Sequence, residues 1–213
     1  MDERTKFLTY FSAFLLWLFN ISAILGILSG QQDWFISKTP LNMLLILSLV
    51  VFVYPLNSIV KVLVFLGIVV TSIFAEWLGV NYGLIFGDYH YGNNFGAKIA
   101  GVPYLIGINW AVLTFATAAI STSWFRNYWL KVFCGTFLML VLDFFLETSA
   151  PVFDFWYWDI GHPPLQNFIG WLALAFVFHA ITQKLRINGN TKFSLHLYAS
   201  QITFFIIFFF YNS

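Results

Sequence analysis

The sequence predicts an all-α fold: an integral membrane helical bundle of about seven transmembrane helices with two structured loops on its outer face. Of its 213 residues, 60% are hydrophobic and only 9% are charged. The apolar residues gather into runs approaching the roughly 20 that a spanning helix needs. Three acids, Glu76, Asp143 and Glu147, nevertheless lie within those runs. An ionisable side chain at the bilayer centre costs about 2.5–3.5 kcal/mol on insertion scales, so acids at such depth point to function.

In chain order the spans are expected at about 7–29, 40–56, 58–79, 103–122, 127–149, 166–185 and 194–211. The first is read as a retained helix, because it is too long for a signal-peptide core and no small-residue cleavage site follows it. Pro40 suits the start of the second span, and Pro55 with Asn57 punctuates the tight turn after it. Neither an internal repeat nor a linker breaks the chain, so residues 1–213 read as a single transmembrane domain.

Charge placement predicts orientation. Arg4, Lys6, Lys61, Arg126, Lys131, Lys184, Arg186 and Lys192 fall on one side of a seven-span arrangement, whereas only Lys38 and Lys98 fall on the other. The positive-inside rule then puts the N-terminus in the cytoplasm and the C-terminus outside a cell membrane crossed many times. Asp2 and Glu3 are inside, while Asp33, Glu76, Asp88, Asp143, Glu147, Asp154 and Asp159 lie at or toward the outer face. Spans three and five both run outward, bringing Glu76 and the Asp143/Glu147 pair to one outer half-layer. Asp143 and Glu147, four residues apart, share a helix face.

Two loops flank that layer. Asn81 to Gly101 carries five glycines around Phe86-Gly87-Asp88-Tyr89-His90-Tyr91 and is expected to form a re-entrant or capping segment. Ser149 to Gln166 carries Asp154, Trp156, Tyr157, Trp158, Asp159 and His162 without a lysine or arginine, and is expected to lid the same cavity. Asp88 is the loop acid best placed to reach the span ends, whereas Asp154 and Asp159 read as solvated acids or caps. Tryptophans near span ends, among them Trp34, Trp77, Trp124 and Trp129, suit the headgroup level, so only those beside the acids bear on a site. His179 and His196 sit toward the cytoplasmic ends of their spans and read as structural or interfacial. His90 and His162 are on the side of the acids. For Asp143 and Glu147 themselves the structural alternative is an interhelical hydrogen bond to Asn, Ser or Tyr.

What is missing narrows the chemistry. A net charge of +1 with scattered basic residues implies no nucleic-acid partner. Cys134 stands alone, which excludes an intrachain disulfide and a multi-cysteine metal site. Four histidines without HxxxH or HxxHH spacing do not supply a di-iron cluster. The last span has no lysine for a retinal Schiff base. Aspartate-rich magnesium-diphosphate segments and nucleotide-binding glycine loops are absent as well. A site without metal or cofactor remains, in which acids face an aromatic-lined apolar cavity. That combination suits protonation of an alkene: one carboxyl gives the proton, its ionised neighbour acts as base, and aromatic faces hold a carbocation by cation–π attraction worth about 2 kcal/mol when water is excluded.

Over residues 76–171 the chain resembles a known family. The matching stretches are Glu76 to Gly79, Asn81-Tyr82-Gly83, Phe86 to Gly92, Gly101-Val102-Pro103-Tyr104, Asn109-Trp110, Asp143 with Glu147, Asp154 to Trp158, and Pro164 to Phe168 with Gly170-Trp171. They resemble the carotenoid biosynthesis membrane proteins that include the carotenoid 1,2-hydratases of the CruF type. The chain departs from that pattern at Thr148, where members often carry proline. The resemblance implies hydration of the terminal C1–C2 double bond of an acyclic carotenoid, without a cofactor. Glu147 or Asp143 would protonate C2, water would attack the tertiary cation at C1, and the ionised carboxylate, aided by Glu76, Asp88 or Tyr89, would take the water proton. Trp77, Trp110, Trp156 and Trp158 would shield the cation, and Tyr91 and Asn167 complete the residues expected at the substrate. The partners implied are an acyclic polyene, water and membrane lipid.

Two other readings share these acids. A small membrane-type carotenoid cyclase begins with the same protonation, although the PxE(E/D) segment expected of it is absent. A proton-coupled carrier or lipophile-binding protein would use them as a relay.

Overall fold

The structure is a computed structural model describing residues 3–54, 58–187 and 189–212. Asp2, Pro55 and Asn57, to which the sequence reading assigned a charge position and a turn, lie outside the described residues. All seven expected spans are helices: α1 (Glu3–Leu28), α3 (Thr39–Val53), α4 (Ile59–Tyr82), α5 (Tyr104–Trp124), α6 (Tyr128–Ser149), α7 (Leu165–Lys184) and α8 (Thr191–Tyr211). Six are long and apolar enough to cross a membrane, and α3 is an apolar helix of 15 residues. Pro40 occupies the first turn of α3, where its missing N–H leaves no bond unmade. The five-residue helix α2 (Gln32–Ile36), between α1 and α3, was not expected.

Helix ends follow local chemistry. The Asn127 side chain accepts the N–H groups of Trp129 and Leu130 at 2.9 and 3.1 Å, and Asn190 accepts that of Phe193 at 3.1 Å, capping α6 and α8. The chain leaves α4 through Gly83 at φ +65°, a left-handed conformation that costs glycine little.

The other departure from expectation lies in the loops, which contain strands. β1 (Tyr89–Tyr91) pairs antiparallel with β4 (Trp156–Trp158), and β2 (Lys98–Ile99) pairs with β3 (Val102–Pro103). The β1–β4 register sets Tyr89 opposite Trp158 and Tyr91 opposite Trp156. This two-stranded ribbon lies across one end of the bundle, where α4 and α6 finish and α5 and α7 begin. The Gln32 amide donates to the Val152 carbonyl at 3.1 Å, and Phe153 packs edge-on against Phe208 with centroids 5.1 Å apart. The start of α2 and the end of α8 therefore meet the same cap.

At the centre stands α5, buried along most of its length against α4, α6, α7 and α8. Small residues let its neighbours approach. A Cβ at Gly107 would lie 2.7 Å from the Val69 carbonyl oxygen, and one at Gly135 of α6 would lie 2.1 Å from the His179 ring. His179 is fully buried, its Nδ1 2.7 Å from the Ala175 carbonyl and its Nε2 2.9 Å from the Thr117 hydroxyl. It joins α7 to α5 and lies apart from the acids.

Candidate active site

β1 and β4 are short, but their period-two alternation decides what lies beneath them. Tyr89 and Tyr91 turn inward while His90 is exposed, and Trp156 and Trp158 turn inward while Tyr157 is half-buried. The inward face thus carries four aromatic rings, each ending in an O–H or N–H donor. Tyr89 and Trp158 have centroids 4.9 Å apart, and Tyr91 meets Trp156 edge-on at 6.1 Å. Each strand returns to the helix that precedes its loop, β1 to Glu76 of α4 and β4 to Glu147 of α6.

Glu76, 4% exposed, accepts three hydrogen bonds. Its Oε1 takes the Trp110 indole N–H at 3.0 Å, and its Oε2 takes the Tyr91 hydroxyl at 2.8 Å together with the Tyr89 hydroxyl. Glu147, also 4% exposed, accepts three more: its Oε2 takes Trp158 Nε1 at 2.8 Å and Trp156 Nε1 at 3.1 Å, and its Oε1 takes Asn167 Nδ2 at 2.7 Å. All six donors are neutral groups, and hydrogen bonds to an ionised acceptor are about twice as strong as neutral ones. Burial first, and then the neighbouring Glu76 carboxylate, hold the Tyr89 and Tyr91 phenols well above the ordinary tyrosine value. Both therefore stay protonated as donors across the physiological range.

Asp143 is different. It is 1% exposed and lies close to both glutamates, and neither of its oxygens completes a hydrogen bond among the described residues: the neighbouring amide of Asn167 donates to Glu147 instead. Such a group is rare in a native interior, where buried polar atoms are nearly always paired. The three acids thus gather as expected, with unequal surroundings.

Between Glu76 and Glu147 lies a cavity of about 20 Å³, also lined by Phe86, Ile106, Asn167 and Trp171 together with the four inward rings of the ribbon. A cavity holds a water above about 10–15 Å³, so this one fits roughly a single molecule. Trp110 stacks on Trp171 at 3.8 Å beside it. Phe86, Ile106 and Trp171 were not singled out as site residues from sequence. Trp171 could have been, since it stands one turn from Asn167 on α7 and so shares its face.

The structure does not bring Asp88 or Trp77 to this cavity. Asp88 is exposed on the outside of the cap, where its carbonyl accepts the Asp159 N–H at 3.1 Å. Trp77 is half-buried and stacks with Phe74 at 5.8 Å. Asp154 clamps the ribbon, its Oδ2 accepting the Asn93 N–H at 2.9 Å and its Oδ1 the Tyr157 hydroxyl at 3.0 Å. His90 faces Asp159 at 3.4 Å on the exposed surface, His162 is exposed, and His196 accepts the Trp17 indole N–H at 3.2 Å.

The sequence model of a family described as carotenoid biosynthesis protein matches residues 39–212, leaving α1 and α2 outside the match. No curated protein and no solved structure matches the chain.

Proposed function

The chain belongs to the carotenoid biosynthesis protein family and has a role in carotenoid biosynthesis; we propose that it is a carotenoid 1,2-hydratase, a hydro-lyase adding water to the terminal C1–C2 double bond of an acyclic end group. The observation that carries this reading is the inequality of the three acids, of which Glu76 and Glu147 line the water-sized cavity and Asp143 stands one helical turn from Glu147 without lining it. Among the described residues Asp143 completes no hydrogen bond, its neighbour Asn167 donating to Glu147. An ionised carboxylate buried in that way is costly, so Asp143 holds the proton and serves as the acid. Glu147 receives three donors and serves as the ionised base.

In the proposed step the Asp143 proton goes to C2, the π electrons form the new C–H bond, and C1 becomes a tertiary cation. Glu76, across the cavity, and the tryptophan faces stabilise that charge. A water seated between Glu76 and Glu147 bonds to C1 and loses its proton to Glu147. That proton returns to Asp143, one helical turn away, and the site is reset. Overall one water is added and no electron changes hands. The seat for water favours hydration over cyclisation, which begins with the same protonation and needs no nucleophile from outside. We take the membrane to be the cell membrane, with the N-terminus cytoplasmic and the site in the outer half-layer, on the charge asymmetry of the loops.

Product analysis in lycopene-accumulating cells tests the reaction. Expression should yield a more polar product heavier by one water. A product isomeric with lycopene would establish a cyclase instead, and an unchanged pigment pool would remove the enzymatic reading for this substrate.

A further inference from the structure

We propose that the slot between α4 and α7 admits an apolar chain from the bilayer, and that the Phe86 ring occupies the seat which the chain's branched terminus takes. The proposal rests on the hydratase reading only for what happens to that terminus. A seat is needed because the cavity beside the acids, about 20 Å³, holds a water and nothing larger.

Four helices enclose the acids, and three of their four seams are tight. α4 packs on α5, α5 on α6 and α6 on α7, whereas α4 and α7 scarcely touch. Their gap is filled by the loop 83–88. Phe86 is 2% exposed and lines the cavity with Glu76 and Glu147, its ring lying 6.3 Å from that of Trp110 and 6.4 Å from that of Tyr89. Two glycines make the slot that holds it. A Cβ on Gly79 of α4 would stand 3.3 Å from the Phe86 ring, and one on Gly170 of α7 would stand 3.0 Å from it and 2.6 Å from the Ile85 carbonyl oxygen. One residue outward, Leu84 is 52% exposed. The ring thus stands between the acids and the exposed side of the α4–α7 seam.

The loop is built to move that ring. Gly83 and Gly87 bracket it at φ +65° and +104°, and Ile85, a β-branched residue, is held at φ +69°. A β-branched residue there is a strained outlier, and strain of that kind gathers at clamps and switches. A long apolar chain has no comparable path from the water side, where the outer face of the ribbon presents His90, Asp88 and Asp159. Leaving its slot, Phe86 vacates an aromatic-walled seat whose inner end opens onto both glutamates.

The test uses contact quenching. In a protein whose Trp17, Trp34, Trp77, Trp124 and Trp129 are changed to Phe, the fluorescence of Trp110, Trp156, Trp158 and Trp171 is measured in nanodiscs of phosphatidylcholine with brominated acyl chains. Phe86→Ala should raise quenching at least twofold over its parent. Phe153→Ala, which deletes an equally buried ring under the cap beside α8, should not. Equal quenching in parent and Phe86→Ala, or an equal rise in both variants, would overturn the port. Should the alanine variant not fold, Phe86→Leu is read in the same way. Quenching reports access and turnover reports reaction, so a port without hydration would sink only the catalytic reading.

Discussion

At the residue scale, Glu147 and Asp143 can be told apart by isosteric amides. In Glu147→Gln the side-chain oxygen can still accept both indole N–H groups while its amide nitrogen faces Asn167, whose own amide turns to accept. The fold should survive. We predict that Glu147→Gln abolishes hydration yet still allows reversible protonation by Asp143, so that substrate recovered from D2O carries deuterium at C2. Asp143→Asn should give neither hydrate nor deuterium, a loss of about 10²- to 10⁴-fold as befits a general acid. Mass spectrometry of recovered carotenoid decides it. If Asp143→Asn exchanges normally, the proton comes from elsewhere. Sequence alone brought these two acids and Glu76 to one layer, because apolar periodicity places a residue along a span. It did not separate Asp88 from them. Whether a loop acid points inward depends on glycine torsions and on the pairing of two distant strands, neither of which a single sequence displays.

At the element scale, the ribbon is the feature least legible beforehand. Tyr89-His90-Tyr91 and Trp156-Tyr157-Trp158 carry a period-two alternation, but three-residue strands are too short for it to stand out from aromatic-rich loops. Their pairing joins residues far apart in sequence and follows only from the helices on which they rest. With Glu147 ionised as proposed, the ribbon's two indole bonds to it are charge-assisted. Trp158→Phe removes one of three donors to Glu147, and we predict a loss of about 1.5–3 kcal/mol, the range for a hydrogen bond to a charged group. In a Glu147→Gln background the same change should cost about half as much, because the acceptor is neutral. Thermal unfolding in detergent measures both. Equal losses would mean that the indole acts by packing alone.

At the scale of the whole molecule, the spans were readable because each is a nearly uninterrupted apolar run, and their observed limits fall within a few residues of those expected. The short α2 escaped notice because five residues hold too little periodicity. Orientation is a matter of charge, not packing, and needs its own measurement. Single cysteines placed at 88 and 159 in a Cys134→Ser background should react in intact cells with a membrane-impermeant maleimide, and one placed at 126 should not. The reverse pattern would turn the bundle over and put the site in the inner half-layer.

The length of α3 has a consequence for the lipid around it. α3 begins at the capped end of the bundle, where Pro40 lies under Gly96, and the chain re-enters α4 at the other end. Fifteen residues rise about 22 Å, whereas the hydrocarbon of a typical bilayer is about 30 Å thick. On this flank the protein offers the bilayer a hydrophobic length several ångströms short of its thickness, a mismatch met by local thinning, by snorkelling of flanking side chains or by association with another copy, which the longer helices do not require.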